Sequence, residues 1–333
     1  MTKTQNVVRS WKWIFWVLGG MSLGIVVGYE ELHRQVPNTE ITRELEGVMG
    51  TPGELKLLFT GDTGTGNSDQ KDVALAMEKT CVDKKIDGVV LLGDNFYDDG
   101  VKSVDDPQWL SKFADMYNTP CLASHKFYVV LGNHDMRMNP NAQILYTQKS
   151  NYKWNLPNRF YALHFKGIAD FFALDSNFPD ACGVSGLCSL DWIGEKMKES
   201  EAPWKIVMGH HPVLSGGKYP RPKWLAALTL PRLLCQGHAD FYFSAHDHNL
   251  QHLRGQVNGE GCEVNQLVVG GGGGSLNNVE SIPGKTLFAA KSHGYVFARL
   301  DSNSISVAYY APGHSSPIYQ FSQNKIQSTA VPR

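Results

Sequence analysis

Five short apolar runs in this chain each end in a cluster of metal-binding side chains. Leu55–Thr60 leads into Gly61-Asp62-Thr63-Gly64, and residues 89–92 lead into Gly93-Asp94-Asn95-Phe96-Tyr97. Residues 127–131 lead into Gly132-Asn133-His134-Asp135, and residues 206–208 into Gly209-His210-His211-Pro212. Phe241–Ser244 leads into Ala245-His246-Asp247-His248. Each run is rich in Val, Leu, Ile, Phe or Tyr and is bounded by polar residues, Gly or Pro, the mark of a buried strand. Open α/β sheets gather ligands at the carboxyl ends of their strands. The pattern therefore predicts an α/β fold in which five strand ends feed one site.

The residue types select the chemistry. Asp62, Asp94, Asn133, His210, His246 and His248 offer oxygen and nitrogen donors, with Tyr97 as a phenol and no Cys. Such donors suit Fe, Mn or Zn and argue against a Cys-rich structural zinc site. They are too many for one ion. Two ions bridged by a carboxylate, roughly 3.5–4 Å apart, would use them all, and could clamp a phosphate and generate a hydroxide. Tyr97 must lose a proton of pKa about 10 to become a ligand. A trivalent ion drives that loss far better than a divalent one. Tyr97 thus points to Fe(III) at one position.

The set Asp-X-Gly (Asp62, Gly64), Gly-Asp-X-X-Tyr (Gly93, Asp94, Tyr97), Gly-Asn-His (Gly132, Asn133, His134), Val-X-X-His (Val207, His210) and X-His-X-His (His246, His248) resembles the purple acid phosphatases. These lie within the calcineurin-like metallophosphoesterases. The likeness runs over about residues 55–311 and is nearest to the small, tartrate-resistant type. Residues 93–97, 142–166 and 246–251 carry that nearer likeness. The resemblance implies a four-layer α/β/β/α sandwich and hydrolysis of phosphomonoesters by a metal-bound hydroxide. It implies Fe(III) at Asp62, Asp94, Tyr97 and His248, and a divalent ion (Fe, Zn or Mn) at Asp94, Asn133, His210 and His246. Asp94 would bridge. His134 is assigned to phosphate contact and leaving-group chemistry, with Asp135 orienting it and His211 as a second donor. Two positions depart from the pattern. Ala245 replaces a usual Gly, and Tyr219, preceded by Lys218, stands where the small enzymes carry a second substrate-side His. The proton donor therefore stays open among His134, His211, Lys218 and Tyr219.

Two rival functions use the same residues. One is a phosphodiesterase or nucleotide pyrophosphatase. The other is a non-catalytic metal- or phosphate-binding protein. Complete donor loops beside His134 favour an enzyme, since binding alone needs no hydroxide. The net charge of −1 gives no reason to expect nucleic acid as a partner.

Ahead of the motifs, residues 11–29 are the most apolar stretch, with Lys3, Arg9 and Lys12 before or at its start and Glu30 and Glu31 after it. The uncharged part, residues 13–29, sits near the short end of the roughly 17–25 residues that span a bilayer. Positive residues before it place the N-terminus in the cytoplasm. An uncleaved signal-anchor is expected, with a cleaved signal as the alternative, so the catalytic domain lies outside the cytoplasm in either case. Gly20, Gly24 and Gly28 share one helical face and could pair two membrane helices into a homodimer. Residues 30–54 read as a polar spacer, helical around 41–48. The metallophosphoesterase domain then covers residues 55–321, and 322–333 form a loose tail.

Within the domain, helices are expected at 69–85, 107–118, 190–200 and Trp224–Gln236, with hairpins over 159–175 and 294–310. Cys182 and Cys188 flank a Gly-rich loop and are the best local disulfide pair, whereas Cys81 reads as a buried thiol. The run Gly270–Gly274 lacks the Lys-Ser/Thr ending of a phosphate loop. Its glycines are expected to let backbone pass close to the metal site.

Overall fold

The computed structural model describes residues 43–177, 188–219, 224–257 and 261–325. Two mixed sheets carry the described structure. In the first, β2 (Leu55–Thr60), β3 (Gly88–Leu92), β4 (Phe127–Val130) and β5 (Trp154–Asn155) are parallel, while β13 (Tyr295–Leu300), β14 (Ser304–Tyr310) and β15 (Tyr319–Asn324) are antiparallel. Their order is β15-β14-β13-β2-β3-β4-β5. The second sheet contains β1 (Glu44–Glu46), β6 (Tyr161–Phe165), β7 (Ala169–Ala173), β8 (Trp204–Met208), β9 (Phe241–Ser244), β10 (Leu250–Gln256), β11 (Glu263–Val269) and β12 (Thr286–Ala290). Its order is β1-β6-β7-β8-β9-β11-β10-β12.

Side-chain alternation shows how the sheets stack. On β8, Ile206 and Met208 join the core shared with the first sheet, while Val207 joins a second core. Phe241 and Phe243 against Tyr242 on β9, and Phe171 against Phe172 on β7, divide the same way. A strand buried on both faces reads as an unbroken apolar run, which is why these segments were legible as strands. Phe59 of β2 stacks on Phe243 of the other sheet at 4.2 Å and lies 6.3 Å from Phe171. The second core is closed by Leu190, Ile193 and Met197 of one helix (Cys188–Glu199) and Leu230, Leu233 and Leu234 of another (Trp224–Gln236). The helix Ser68–Lys84 buries Val73, Ala74, Met77 and Cys81 against the first sheet. This is the expected α/β sandwich of two sheets with helices outside them.

Both hairpins form as expected, β6 with β7 and β13 with β14. Four expectations need correction. Residues 43–48 are not helical. Glu44–Glu46 pairs in parallel with β6, and Leu45 packs on the core, so the sheet begins ahead of Leu55. The expected helix at 107–118 is present but shorter and wider, a π-helix at Leu110–Ala114 where the Asp115 N–H reaches the Leu110 carbonyl at 2.8 Å. Gln70 and Lys71 occupy carbonyls of that segment from the neighbouring helix. Cys81 is no free thiol but is bonded to Cys121, and Cys235 to Cys262. The last strand carries order to Asn324, past the expected start of the tail. The N-terminal segment 1–42, the Cys182/Cys188 pairing and Gly20, Gly24 and Gly28 lie outside the described residues. Among the described residues no helix is long and apolar enough to cross a membrane.

Candidate metal centre

The five loops do meet. They leave the carboxyl ends of β2, β3, β4, β8 and β9 and are tied together by backbone. The Asp62 N–H donates to the Gly93 carbonyl at 2.9 Å, Gly64 to Asp94 at 3.1 Å, and Tyr97 to Gly64 at 2.7 Å. A sixth strand end supplies the roof. After β11, Gly272 donates to the Gly61 carbonyl at 3.0 Å and Gly274 to the Asp62 carbonyl at 2.9 Å. A Cβ on Gly270 would sit 2.1 Å from the Asp247 carbonyl oxygen and 2.5 Å from Asp62 Oδ2. The glycine run is thus a close backbone lid on the site, as expected. Gly132 is just as constrained, since a Cβ there would lie 2.2 Å from Asp94 Oδ1.

The donors fall into two groups. Asp62, Asp94 and His248 form one, and His210, His211 and His246 the other. Tyr97 belongs to the first, its hydroxyl 3.0 Å from Asp62 Oδ1 and 3.0 Å from His248 Nε2. Asn133 belongs to the second, with Oδ1 3.2 Å from His210 Nε2. Asp94 stands between them. Its Oδ2 lies 3.5 Å from His210 Nε2, and its Oδ1 accepts the His134 N–H at 2.8 Å.

Proton accounting shows what these groups are short of. His248 Nδ1 contacts the Ser275 carbonyl at 2.8 Å, and His210 Nδ1 the Leu92 carbonyl at 2.9 Å. A carbonyl only accepts, so in each neutral ring the proton sits on Nδ1 and Nε2 turns a lone pair inward. His210 Nε2 then faces Asn133 Oδ1 and, at 3.1 Å, His246 Nδ1. The single Tyr97 proton is claimed by both Asp62 and His248. Asp62 Oδ2 is fully buried and has no hydrogen-bond partner. Buried acceptors left unmatched cost free energy. Cations are what such converging lone pairs fit.

Among the protein groups alone, protons take the places that cations would otherwise hold. Burial, together with the Asp94 charge, raises Asp62 to about 6 against opposing pulls from His248 and His210. Burial would raise Asp94 too, but the charge and hydrogen bond of His210 and the His134 N–H hold it below the usual range. Burial and the two carboxylates push the Tyr97 phenol far up, so nothing in the protein ionises it. Burial opposes protonation of His210, yet the nearby Asp94 charge carries it to about 9. Burial and the neighbouring imidazoles hold His246 low.

Around this centre the remaining candidates are placed less simply. His134 directs Nδ1 to the Asp98 carbonyl, while Nε2 lies 3.9 Å from Asp94 Oδ2 and receives the Arg137 guanidinium at 3.3 Å. Asp135 does not orient it. Asp135 is fully buried and accepts from the Gly132 N–H at 2.8 Å, from the backbone and side-chain N–H groups of Asn95, and from Gln143 at 3.0 Å. It braces the loops after β3 and β4 from behind. Burial and the nearby Asp94 raise it to about 7. Tyr219 lays its ring on His246, centroids 4.4 Å apart, with the Lys218 ammonium 5.1 Å from that ring. His293 reaches the Gly274 carbonyl at 3.1 Å, behind the roof.

Sequence reasoning missed three supports. Asp247, between the two histidines of the last motif, accepts from Ser215 and from the Tyr219 N–H and so fastens the 215–219 loop. Asn95 follows Asp94 and links its loop to Asp135. Ser176 holds the His210-His211 turn. The available signal for Ser176 was a further strand end with a polar cluster, Asp175-Ser176-Asn177, after β7.

Comparison with known proteins agrees with this centre. Residues 55–250 match the family model described as calcineurin-like phosphoesterase. Purple acid phosphatase 4 of Arabidopsis thaliana is 31% identical over 81% of this chain and 85% of its own length. Tartrate-resistant acid phosphatase type 5 of Rattus norvegicus is 28% identical over 67% of this chain and 74% of its own. Among solved structures, GAP50, the anchor in the inner membrane complex of Plasmodium, superposes with a TM-score of 0.72 at 26% identity, over 83% of this chain and 90% of that one. The purple acid phosphatase PPD1 of yellow lupin (Lupinus luteus) shares the fold, with a TM-score of 0.65 at 15% identity over 83% of this chain and 54% of its own. The chain belongs to the calcineurin-like phosphoesterase family, among relatives that are purple acid phosphatases.

Proposed function

We propose that this chain is an acid phosphatase that hydrolyses phosphomonoesters at a two-metal centre. The carrying observation is the convergence of His210 Nε2, His248 Nε2, Asp62 and Asn133 Oδ1 on either side of Asp94, with Asp62 Oδ2 buried and unmatched. Asp62, Asp94, Tyr97 and His248 would hold Fe(III), and Asp94, Asn133, His210 and His246 a divalent ion. When bound, the two ions clamp the phosphate, lower the pKa of the attacking water and neutralise the leaving oxygen. The chain's own groups do the rest. Asp94 couples the two halves. Asp135 and Asn95 keep the loops after β3 and β4 in register. Neutral His134 carries its proton on Nδ1, so it accepts at Nε2, and becomes a donor there only on taking a second proton.

Hydrolysis of p-nitrophenyl phosphate but not of its bis ester supports the monoesterase. The reverse preference would establish the phosphodiesterase instead. A second reading is favoured by the likeness to GAP50, an anchor rather than a named enzyme. The protein would then bind without turnover, and metal-loaded protein inactive on both esters would establish it. We place the domain outside the cytoplasm, tethered by residues 13–29, with Gly20, Gly24 and Gly28 available to pair two copies.

A further inference from the structure

Three imidazoles crowd one side of the centre. One ring nitrogen from each of His210, His211 and His246 lies within 4.8 Å of the others, close enough to hold one ion between them. A catalytic metal site needs a position left open for substrate or water. Something must keep His211 from taking that position. Ser176 is the hydroxyl in contact with the His211 ring nitrogen Nδ1.

Ser176 is 3% exposed and its hydroxyl is fully committed. Its oxygen receives the His210 N–H at 3.2 Å and the His211 N–H at 3.0 Å. A hydroxyl has two acceptor sites and one proton. Both acceptor sites are occupied by those amides. The proton therefore goes to the remaining neighbour, His211 Nδ1, at 2.8 Å. Nδ1 is then an acceptor, and neutral His211 must carry its hydrogen on Nε2. A nitrogen bearing hydrogen cannot ligate. The opposite tautomer would turn an Nδ1–H on a hydroxyl oxygen with no lone pair left for it. His210 has the opposite pattern, fixed by the Leu92 carbonyl. Adjacent histidines are thus set to adjacent roles by what each Nδ1 meets. The turn bearing Ser176 is itself anchored, since Asp175 accepts from the Asn177 backbone and side chain at 3.0 and 2.7 Å.

We propose that Ser176 is a positioning residue that locks His211 as an Nε2–H donor and so excludes it from the divalent site, keeping a coordination position open. The inference rests on the two-metal reading of the same centre.

The test compares full-length wild type, Ser176→Ala and Ser176→Thr. Zinc affinity is measured by chelator competition, turnover with p-nitrophenyl phosphate, and His211 protonation by nitrogen-15 spectra of the zinc-loaded, histidine-labelled protein. Outer-sphere partners of metal sites typically contribute about 10–100-fold. Ser176→Ala should lose about 10-fold or more in kcat while binding zinc as tightly as wild type or tighter, because His211 is freed to ligate. Ser176→Thr keeps the hydroxyl and should restore both values. Weaker zinc binding in Ser176→Ala would reduce Ser176 to a brace for His210 and overturn the proposal, as would unchanged kcat. Should the variants fail to fold, wild type decides: a proton on His211 Nδ1 rejects the lock, and one on Nε2 alone upholds it. Wild type that binds zinc but hydrolyses neither ester would defeat the phosphatase reading, yet the affinity and nitrogen-15 results would still judge Ser176.

Discussion

On the proposed reading, Tyr97 and Asp94 are the single side chains on which metal type and number turn. The phenol of Tyr97 is buried against Asp62 and His248, and the protein alone holds it protonated. Only a strongly charged ion beside it reverses that. Purified protein should therefore show a visible phenolate-to-iron charge-transfer band. Tyr97→Phe should abolish the band with the fold intact, and a wild type holding two zinc or manganese ions and no iron would refute the ferric assignment. Asp94 has one oxygen toward His210 and the other on the His134 amide. Asp94→Asn puts an uncharged amide between the two halves. It should cost at least one ion by metal analysis and lower kcat by about 100-fold or more, given the terms a two-metal clamp supplies. Full occupancy with near-normal turnover would show that Asp94 does not bridge. That these side chains would converge was legible in the sequence because ligand chemistry restricts residue type. The partner of each donor was not, because Asp135 lies next to His134 in the chain yet turns to Asn95 and Gln143 on other elements.

Elements were legible to the extent that burial left a pattern. Strands buried on both faces, such as β3 and β9, read as apolar runs, and their ends matched closely. Glu44–Glu46 did not. Three residues at a sheet edge, alternating exposed and half-buried, carry too little periodicity to compete with a helical reading. Burial inside the sheet also produces a pH effect. His252 on β10 is 3% exposed, bonded to Asn265 at 2.8 Å and the Tyr319 hydroxyl at 3.0 Å, and stacked on Phe321. Burial lowers it to about 4, helped by the Arg254 charge and opposed by Asn265. The folded state therefore prefers neutral His252, and the unfolded chain binds the proton more readily. The stability due to this residue is complete above about 6.5 and is lost as pH falls toward 4. Linkage over that interval amounts to about 2–3 kcal/mol. Thermal melts at pH 7 and pH 4.5 should show wild type losing more stability than His252→Gln. Equal losses would mean that His252 is protonated in the fold without penalty.

At the scale of the whole molecule, β1 changes where the folded unit begins. The polar spacer does not end at Leu55, since Leu45 packs on the core and the Ala162 and Gly47 amides bond across to the Arg43 and His164 carbonyls. Thr42–Arg333 forms one compact unit. A protein trimmed to Thr51 would strip a strand from the edge of the eight-stranded sheet and expose the backbone of β6. One trimmed to Thr42 keeps it. The full-length chain should therefore fractionate with membranes and require detergent, through residues 13–29. The Thr42 protein should be soluble and as active as the full chain, and the Thr51 protein should melt at a lower temperature than the Thr42 protein. A mature N-terminus found near Tyr29 would replace the anchor with a cleaved signal. Full-length protein recovered from the soluble fraction with Met1 in place would remove the membrane segment altogether.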